Sequence, residues 1–181
     1  GAGHLIDGKI YRGATGIAGE IGHVSIHSEG PQCVCGLKGC LVTYIGAAAL
    51  LREAQRQGVS METQDTAGLI QAAYAGDLAA QKVLAESAKH LGVAVASLIN
   101  LMNPSRVILG GALSRAGNFL LKPLRTALAE RVPATSHSEA TVTISQLSEE
   151  AKALGAATLA LDGVMADQSS LRILTPAFEE V

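Results

Sequence analysis

The longest regular pattern of apolar positions in the chain has the period of a helix. One buried helical face is indicated by apolar residues that follow one another at intervals of 7, 4, 3 and 4 positions, namely Leu84, Leu91, Val95, Leu98 and Met102. Asp77 is a suitable N-cap before this stretch, and Asn103-Pro104 stops a helix after it. The pattern therefore predicts a helix from Asp77 to about Met102.

Four further stretches rich in Ala and Leu predict shorter helices at residues 43–56, 66–75, 119–131 and 149–165. Thr66 is a plausible N-cap for the second of them, and Pro123 is tolerated in the third only near its first turn. Glu149-Glu150 open the last stretch, where negative charge suits the helix dipole. The polar connector at residues 57–66 could mark a boundary between subdomains.

Short runs with strand character accompany the helices. Two apolar stretches around Asp7-Gly8 predict a β-hairpin at residues 4–11, because Gly supplies the positive φ of the turn. Other strands are predicted at residues 23–26, 106–109 and 141–145, the second of them buried. Because strands and helices alternate in this order, the pattern favours an α/β layer structure over a helical bundle.

Composition and charge narrow the possible functions. With 48% hydrophobic residues in a chain of 181, a sizeable core can be buried, and 3% aromatic residues indicate that small and branched side chains build it. The formal net charge is −2 and the 14 Lys and Arg residues are scattered, so the chain is a poor candidate for direct binding of nucleic acid. No apolar run reaches the roughly 18–20 residues that span a bilayer, and no signal peptide opens the chain. A cytoplasmic protein is the default expectation.

The candidate chemistry lies in one histidine and three cysteines with the spacing H-x9-C-x1-C-x4-C, namely His23, Cys33, Cys35 and Cys40. One imidazole and three thiolates complete the tetrahedral shell that Zn²⁺ prefers, and a complete shell indicates a structural ion rather than a catalytic one. One alternative is three reduced cysteines packed as small apolar residues. A redox role is the weaker alternative, because only Lys38 lies nearby in sequence as a basic residue.

Two segments stand out as a pair, Gly19-Glu20-Ile21-Gly22-His23 and Cys33-Val34-Cys35-Gly36-Leu37-Lys38-Gly39-Cys40-Leu41. Together they resemble the signature of the ROK family, whose name joins repressors, open reading frames and sugar kinases. Residues 11–14 look like the family's approach to the first segment, residues 103–111 like its nucleotide-side strand and turn, and residues 153–157 like its C-terminal helix. The resemblance covers essentially the whole chain.

The resemblance implies a fold and a place in it. The family fold is ribonuclease-H-like (actin-like) with two lobes, and residues 1–181 match the C-terminal lobe, with a zinc-binding loop inserted at residues 23–42. The chain starts without Met and is expected to be a fragment. The N-terminal lobe, with the general-base Asp of sugar kinases, and any DNA-binding domain would then lie upstream of it. Without that Asp nothing deprotonates the attacking sugar hydroxyl, so the chain alone is not expected to be a kinase.

The resemblance also assigns roles to residues. Glu20 matches a family Glu that accepts hydrogen bonds from sugar hydroxyls; without the family it would be taken as a solvated carboxylate. His23 matches a His that binds zinc through one ring nitrogen and the sugar through the other. If the protein is a kinase, its nucleotide-side loops would include Gly1, Gly3, Gly110 and Gly111. The isolated histidines are expected at the surface or on a helix face, namely His27, His90 and His137.

Val42 departs from the family pattern, which usually has a sugar-contacting Glu at this position. Valine accepts no hydrogen bond, and a buried hydroxyl without a partner costs about 1–3 kcal/mol. A different ligand, a low affinity and a lost effector site are therefore all open.

Three functions are compatible with these features. The first is the effector-binding and oligomerisation part of a sugar-responsive transcriptional regulator, the second is half of an ATP-dependent sugar kinase, and the third is a degenerate member that only mediates association. We favour the regulator because of Val42 and because residues 166–181 extend beyond the last predicted helix. A regulator of this kind is expected to bind a sugar or sugar derivative, to form a homodimer, and to meet DNA only through an upstream domain, without contact to a membrane.

Overall fold

The computed structural model describes residues 1–133, 140–147 and 150–166. The chain divides into two compact units, Gly1–Ile144 and Ser145–Val181. The first unit combines helices with short strands, as the predicted α/β class requires, and contains every candidate site residue. The boundary suggested at residues 57–66 is wrong, because this connector lies inside the first unit.

The helical layer of the first unit consists of α1 (Val42–Ile45), α2 (Ala47–Arg56), α3 (Thr66–Tyr74), α4 (Leu78–Met102) and α5 (Asn118–Ala129). The single helix expected at residues 43–56 is therefore two helices, which Gly46 separates with an extended backbone (φ −64°, ψ 151°). The N-cap of α3 is Asp65 rather than Thr66, because the Asp65 carboxylate accepts a hydrogen bond from the Gly68 N–H at 2.8 Å. This bond lowers the pKa of Asp65.

The ends of α4 are those that its sequence predicts. The Asp77 carboxylate accepts hydrogen bonds from the N–H groups of Ala79 and Ala80 at 2.8 and 2.9 Å. Asn103 ends the helix in the left-handed conformation (φ 43°, ψ 54°), a known way to satisfy the last carbonyl groups. The predicted buried face is only partly right, because Leu84 and Val95 are buried but Met102 is 45% exposed.

The buried face of α4 differs from the predicted one because small residues form part of it. The side of α4 that packs into the core includes Ala80, Ala88, Gly92 and Ala96. A Cβ atom at Gly92 would lie 2.6 Å from the Cβ of Ala127 on α5, so the two helices approach each other more closely than larger residues allow. A period search that counts only large apolar residues does not register these positions.

Two short two-stranded sheets are present among the described residues of the unit. Strands β1 (His4–Ile6) and β2 (Lys9–Tyr11) form the predicted antiparallel hairpin, with positive φ at Asp7 and Gly8. Strands β3 (Arg106–Leu109) and β4 (Thr141–Ile144) are parallel, with α5 in the connection between them. Burial of β3 is less complete than expected, since Ile108 is 60% exposed. The reason is that β3 pairs with β4 alone among the described strands.

The strand predicted at residues 23–26 is absent from the described structure. A 3₁₀ helix spans Ile21–His23 instead, and only Ser25 makes an isolated bridge, to Cys40. Local turns use the N–H groups of His23 and Val24, which donate to Glu20 and Ile21, so that pairing with residues 39–41 is limited to the bonds from Ile26 to Gly39 and from Leu41 to Val24.

The second unit contains α6 (Ala151–Ala166), close to the helix predicted at residues 149–165. Glu149, expected to open that helix, lies outside the described residues. No helix among the described residues is long and apolar enough to cross a membrane.

Candidate metal centre

The structure brings His23, Cys33, Cys35 and Cys40 together. Each residue offers one ligand atom, and these four atoms all lie within 4.8 Å of one another. Nδ1 of His23 is 3.6 Å from Sγ of Cys33, and Sγ of Cys35 is 3.6 Å from Sγ of Cys40. The cluster that the sequence spacing indicates is thus present as a set of converging side chains, able to hold a metal ion.

These separations fit a tetrahedral ion. Bonds of about 2.3 Å to sulfur and about 2.0 Å to nitrogen place tetrahedral ligand atoms roughly 3.5–3.8 Å apart, which matches both distances above. Cys33 and Cys40 are buried and Cys35 is exposed, so one edge of the cluster faces solvent. Because four protein ligands fill the shell, an ion held here would order the loop and would not be open to a substrate.

The ionisation of the thiols shows why the cluster suits a cation. The pKa of Cys35 is lowered to about 7, chiefly by the backbone N–H of Leu37. The pKa of Cys40 is raised to about 12, chiefly by burial and further by the neighbouring Cys35 and Cys33. Three thiolates at these distances repel one another, and a divalent cation would offset both that repulsion and the burial of Cys40.

Backbone hydrogen bonds and glycines shape the loop around the ligands. The N–H of Cys33 donates to the Leu37 carbonyl at 2.8 Å, and the N–H of Gly36 donates back to the Cys33 carbonyl at 3.0 Å. Gly39 has φ +68°, and a Cβ atom there would lie 1.7 Å from the carbonyl oxygen of His27. Only glycine allows this crossing of two backbone segments.

A ring contact that the sequence does not reveal connects α1, which directly follows the cysteine-containing segment, to α4. The rings of Tyr44 in α1 and His90 in α4 lie 4.4 Å apart between centroids. Burial lowers the pKa of His90, which favours the neutral ring. His90 therefore lies on a helix face as expected, but in contact with α1; His27 is exposed, and His137 lies outside the described residues. Two ordinary residues far apart in sequence give no signal of such a contact.

Glu20 and His23 stand one turn apart at the edge of the cluster. The N–H of His23 donates to the Glu20 carbonyl at 3.0 Å, and residues three apart in a 3₁₀ turn lie above one another. Because Nδ1 of His23 is the atom next to Cys33, Nε2 lies on the far side of the ring. Glu20 is exposed and His23 is half-buried, so both side chains remain accessible from outside.

Val42 lies close to the turn that carries Glu20 and His23. It is the first residue of α1 and is 37% exposed. Its Cβ atom lies 3.6 Å from the point where a Cβ of Gly22 would be. Gly22 belongs to the turn that connects Glu20 with His23, so Val42 lies against the backbone of this turn.

The four glycines expected at nucleotide-side loops lie on two separate segments. Gly1 and Gly3 run beside the turn of Glu20, where the N–H of Ala2 donates to the Gly19 carbonyl at 2.7 Å. Gly110 and Gly111 follow β3, and Gly111 has φ +82°. A side chain would find open space at Gly3 and at Gly111. A nucleotide-binding role for these glycines stays a prediction.

Comparison with known proteins identifies the family. The model described as "ROK family" matches residues 1–163. The chain belongs to the ROK family. The xylose repressor of Caldicellulosiruptor bescii is 34% identical over 176 residues, which are 91% of this chain and 44% of the repressor. The chain therefore spans less than half the length of this ROK relative.

Solved ROK structures share the fold of this chain. A ROK family transcriptional regulator, described as a homolog of the E. coli MLC protein, superposes with a TM-score of 0.76 and 29% identity, over 83% of this chain and 40% of the regulator. A ROK family glucokinase from Streptomyces griseus, solved in complex with glucose and AMPPNP, gives a TM-score of 0.77 and 31% identity, over 87% of this chain and 55% of the kinase. The expected family and its actin-like sugar-kinase fold are thus confirmed.

Proposed function

We propose that this ROK chain is the effector-binding part of a sugar-responsive transcriptional regulator. The observation that carries the proposal is the single turn that places Glu20 beside His23, while Nδ1 of His23 points into the cysteine cluster. Similarity to a xylose repressor and to a ROK regulator of known structure supports the regulatory role.

The cluster is proposed to hold one structural zinc ion through His23, Cys33, Cys35 and Cys40. Three sulfur ligands and one imidazole nitrogen at tetrahedral spacing favour zinc over harder cations, which prefer oxygen. An ion bound to Nδ1 would fix the His23 tautomer, so that Nε2 carries the proton. The zinc would then set the position and the donor character of His23 without taking part in any reaction.

The proposed effector is a sugar or sugar derivative held by one acceptor and one donor. The exposed Glu20 carboxylate accepts hydrogen bonds from hydroxyl groups, and Nε2–H of His23 donates one to a sugar oxygen. Binding would shift the population of two arrangements of the regulator, and hence the way it meets its operator. We propose that the regulator acts as a homodimer in the cytoplasm. Because the basic residues of this chain are scattered, we further propose that DNA is contacted by a different part of the polypeptide.

The metal proposal is tested by elemental analysis of the purified protein. We expect one zinc per chain in the wild type and none in Cys35→Ser, since three ligands hold zinc much less tightly than four. Hydrogen exchange should then show that residues 27–42 have lost their protection. Val34→Ser is the matched control, because Val34 is fully exposed beside Cys35 and offers no ligand. Wild-type protein without stoichiometric metal would rule the zinc site out.

The regulatory proposal is tested on the complete gene product. Calorimetry with xylose, glucose and N-acetylglucosamine should show binding of at least one sugar, and Glu20→Gln should weaken it by about tenfold or more, since a charged acceptor is lost. The same sugar should change the affinity for operator DNA. Sugar binding without any change in DNA binding would contradict a regulatory role.

A sugar kinase is the second candidate, favoured by the similarity to the Streptomyces griseus glucokinase. Val42 speaks against it, because a phosphoryl-transfer site depends on precise orientation of the sugar hydroxyl groups. Formation of ADP by the complete protein with ATP, Mg²⁺ and glucose would decide for the kinase.

A further inference from the structure

We propose that Gly19 is a positioning residue of the effector site, because the close crossing of its backbone with that of Ala2 sets the direction of the Glu20 side chain. The inference rests on the proposed sugar site at Glu20 and His23 and names a further residue on which that site depends. Gly19 has no side chain to offer to a ligand, so it acts entirely through its neighbour Glu20.

Two backbone segments meet at Gly19 without space for a side chain. Gly19 has φ +101°, and a Cβ atom there would overlap with the carbonyl oxygen of Ala2 and lie 2.9 Å from the carbonyl carbon. The N–H of Ala2 donates to the Gly19 carbonyl at 2.7 Å, which ties the two segments together at the same place. Because both partners are backbone, no change of rotamer makes room for a side chain. Any other residue would push the two segments apart.

The same carbonyl oxygen shapes the backbone of Glu20. The N–H of Ile21 also donates to the Gly19 carbonyl, at 2.7 Å, and Glu20 between them has φ −71° and ψ 49°. A hydrogen bond across three residues with such angles at the central one is an inverse γ-turn. The direction of the Cα–Cβ bond of Glu20 follows from this turn, and the bond from Ala2 fixes the turn in place.

The Glu20 side chain depends on this backbone for its position. Glu20 is exposed, and its carboxylate forms no hydrogen bond or ion pair with the residues that the structure describes. His23 differs, because its Nδ1 is 3.6 Å from Sγ of Cys33, where the proposed metal would hold it. A displacement of Gly19 should therefore move Glu20 and leave the metal ligands in place.

Gly16 offers a matched control in the same loop. It also has a positive φ, +84°, but a Cβ atom there meets nothing within 4 Å. Gly16→Ala therefore adds backbone strain without any overlap, whereas Gly19→Ala adds both. The difference between the two variants isolates the crossing with Ala2.

Calorimetry on the complete gene product tests the inference, with xylose, glucose and N-acetylglucosamine as ligands. We expect Gly19→Ala to weaken binding of the sugar that the wild type binds by about tenfold or more, while zinc stays at one per chain. Gly16→Ala should leave the same affinity nearly unchanged. In a Glu20→Gln background, Gly19→Ala should have little further effect, because the group that it displaces is already impaired.

Three results would each overturn the inference while the sugar-binding function stands. The first is an equal effect of the two glycine variants, and the second is loss of zinc together with sugar binding in Gly19→Ala. The third is a full further loss of affinity when Gly19→Ala is added to Glu20→Gln, because Gly19 would then not act through Glu20. If no sugar of the panel binds the wild type, the proposed function fails and the inference fails with it.

Discussion

Two backbone segments cross closely at Gly39, in the loop that carries the three cysteines. Replacement of this glycine should therefore destabilise the loop. Gly39→Ala should abolish stable folding of the loop, because the new Cβ would lie 1.7 Å from the His27 carbonyl oxygen in a backbone with φ +68°. The backbone strain alone costs about 1–2 kcal/mol, and the collision adds to it. Competition with a chelator should show a fall in zinc affinity of more than tenfold.

Gly36→Ala separates the effect of backbone strain from the effect of the Cβ collision. Gly36 also has a positive φ, +90°, but a Cβ there meets nothing within 4 Å. Its replacement should therefore cost only the strain, about 1–2 kcal/mol, and should weaken zinc binding less than Gly39→Ala does. Equal effects of the two substitutions would show that the close approach to His27 does not matter.

The four metal ligands could be predicted from the sequence, whereas the turn and the side-chain contacts that position them could not. The spacing of His23 and the three cysteines is local information, and the residue types fix the chemistry. Which ring nitrogen of His23 points into the cluster depends on the 3₁₀ turn at Ile21–His23. The contact between Tyr44 and His90 depends on how α1 meets α4, which no local pattern encodes.

Helices α4 and α5 approach each other closely at Gly92. In an isolated helix Gly→Ala stabilises by about 1 kcal/mol. Here the new Cβ would lie 2.6 Å from the Cβ of Ala127, and overpacking of this kind costs about 1–3 kcal/mol. We expect Gly92→Ala to lower the free energy of unfolding by about 1 kcal/mol, the typical difference between the two effects, measured by urea denaturation.

The sign of that effect can be inverted. In the background of Ala127→Gly the collision is gone, so Gly92→Ala should become stabilising by its helix propensity. If Gly92→Ala is destabilising to the same extent in both backgrounds, the contact between the two helices is not its cause.

Elements were predictable where local signals act alone. The hairpin at residues 4–11 and the ends of α4 follow from Asp7-Gly8, Asp77 and Asn103, whose effects are confined to their own turns. The strand predicted at residues 23–26 does not form, because the N–H groups of His23 and Val24 are used within their own turn. The break at Gly46 has a different cause, because a glycine in an Ala-rich stretch does not by itself reveal a helix end.

At the scale of the whole molecule, the metal cluster and the helical core of the first unit are separate sources of stability. The contiguous core runs from Leu50 to Val142 and includes Leu84, Ile99 and Leu124, but none of the four metal ligands. The segment between His23 and Leu41 contributes no described α-helix. Its order depends on the cluster and on the few contacts between the loop and the helices.

Removal of the metal should therefore unfold residues 23–41 and leave the helical core folded. After treatment with a strong chelator, hydrogen exchange should show loss of protection in residues 23–41 and retained protection in α4 and α5. The far-UV circular dichroism at 222 nm should change little, because the released segment carries no α-helix and the leucine-rich core is intact, each buried leucine contributing about 1.5–3 kcal/mol. Sugar binding should be lost in the same titration, since His23 would no longer be fixed, and should return when zinc is added back. Cooperative loss of the dichroism signal together with the metal would contradict this division, because it would mean that the core of α4 and α5 cannot fold without the cysteine loop.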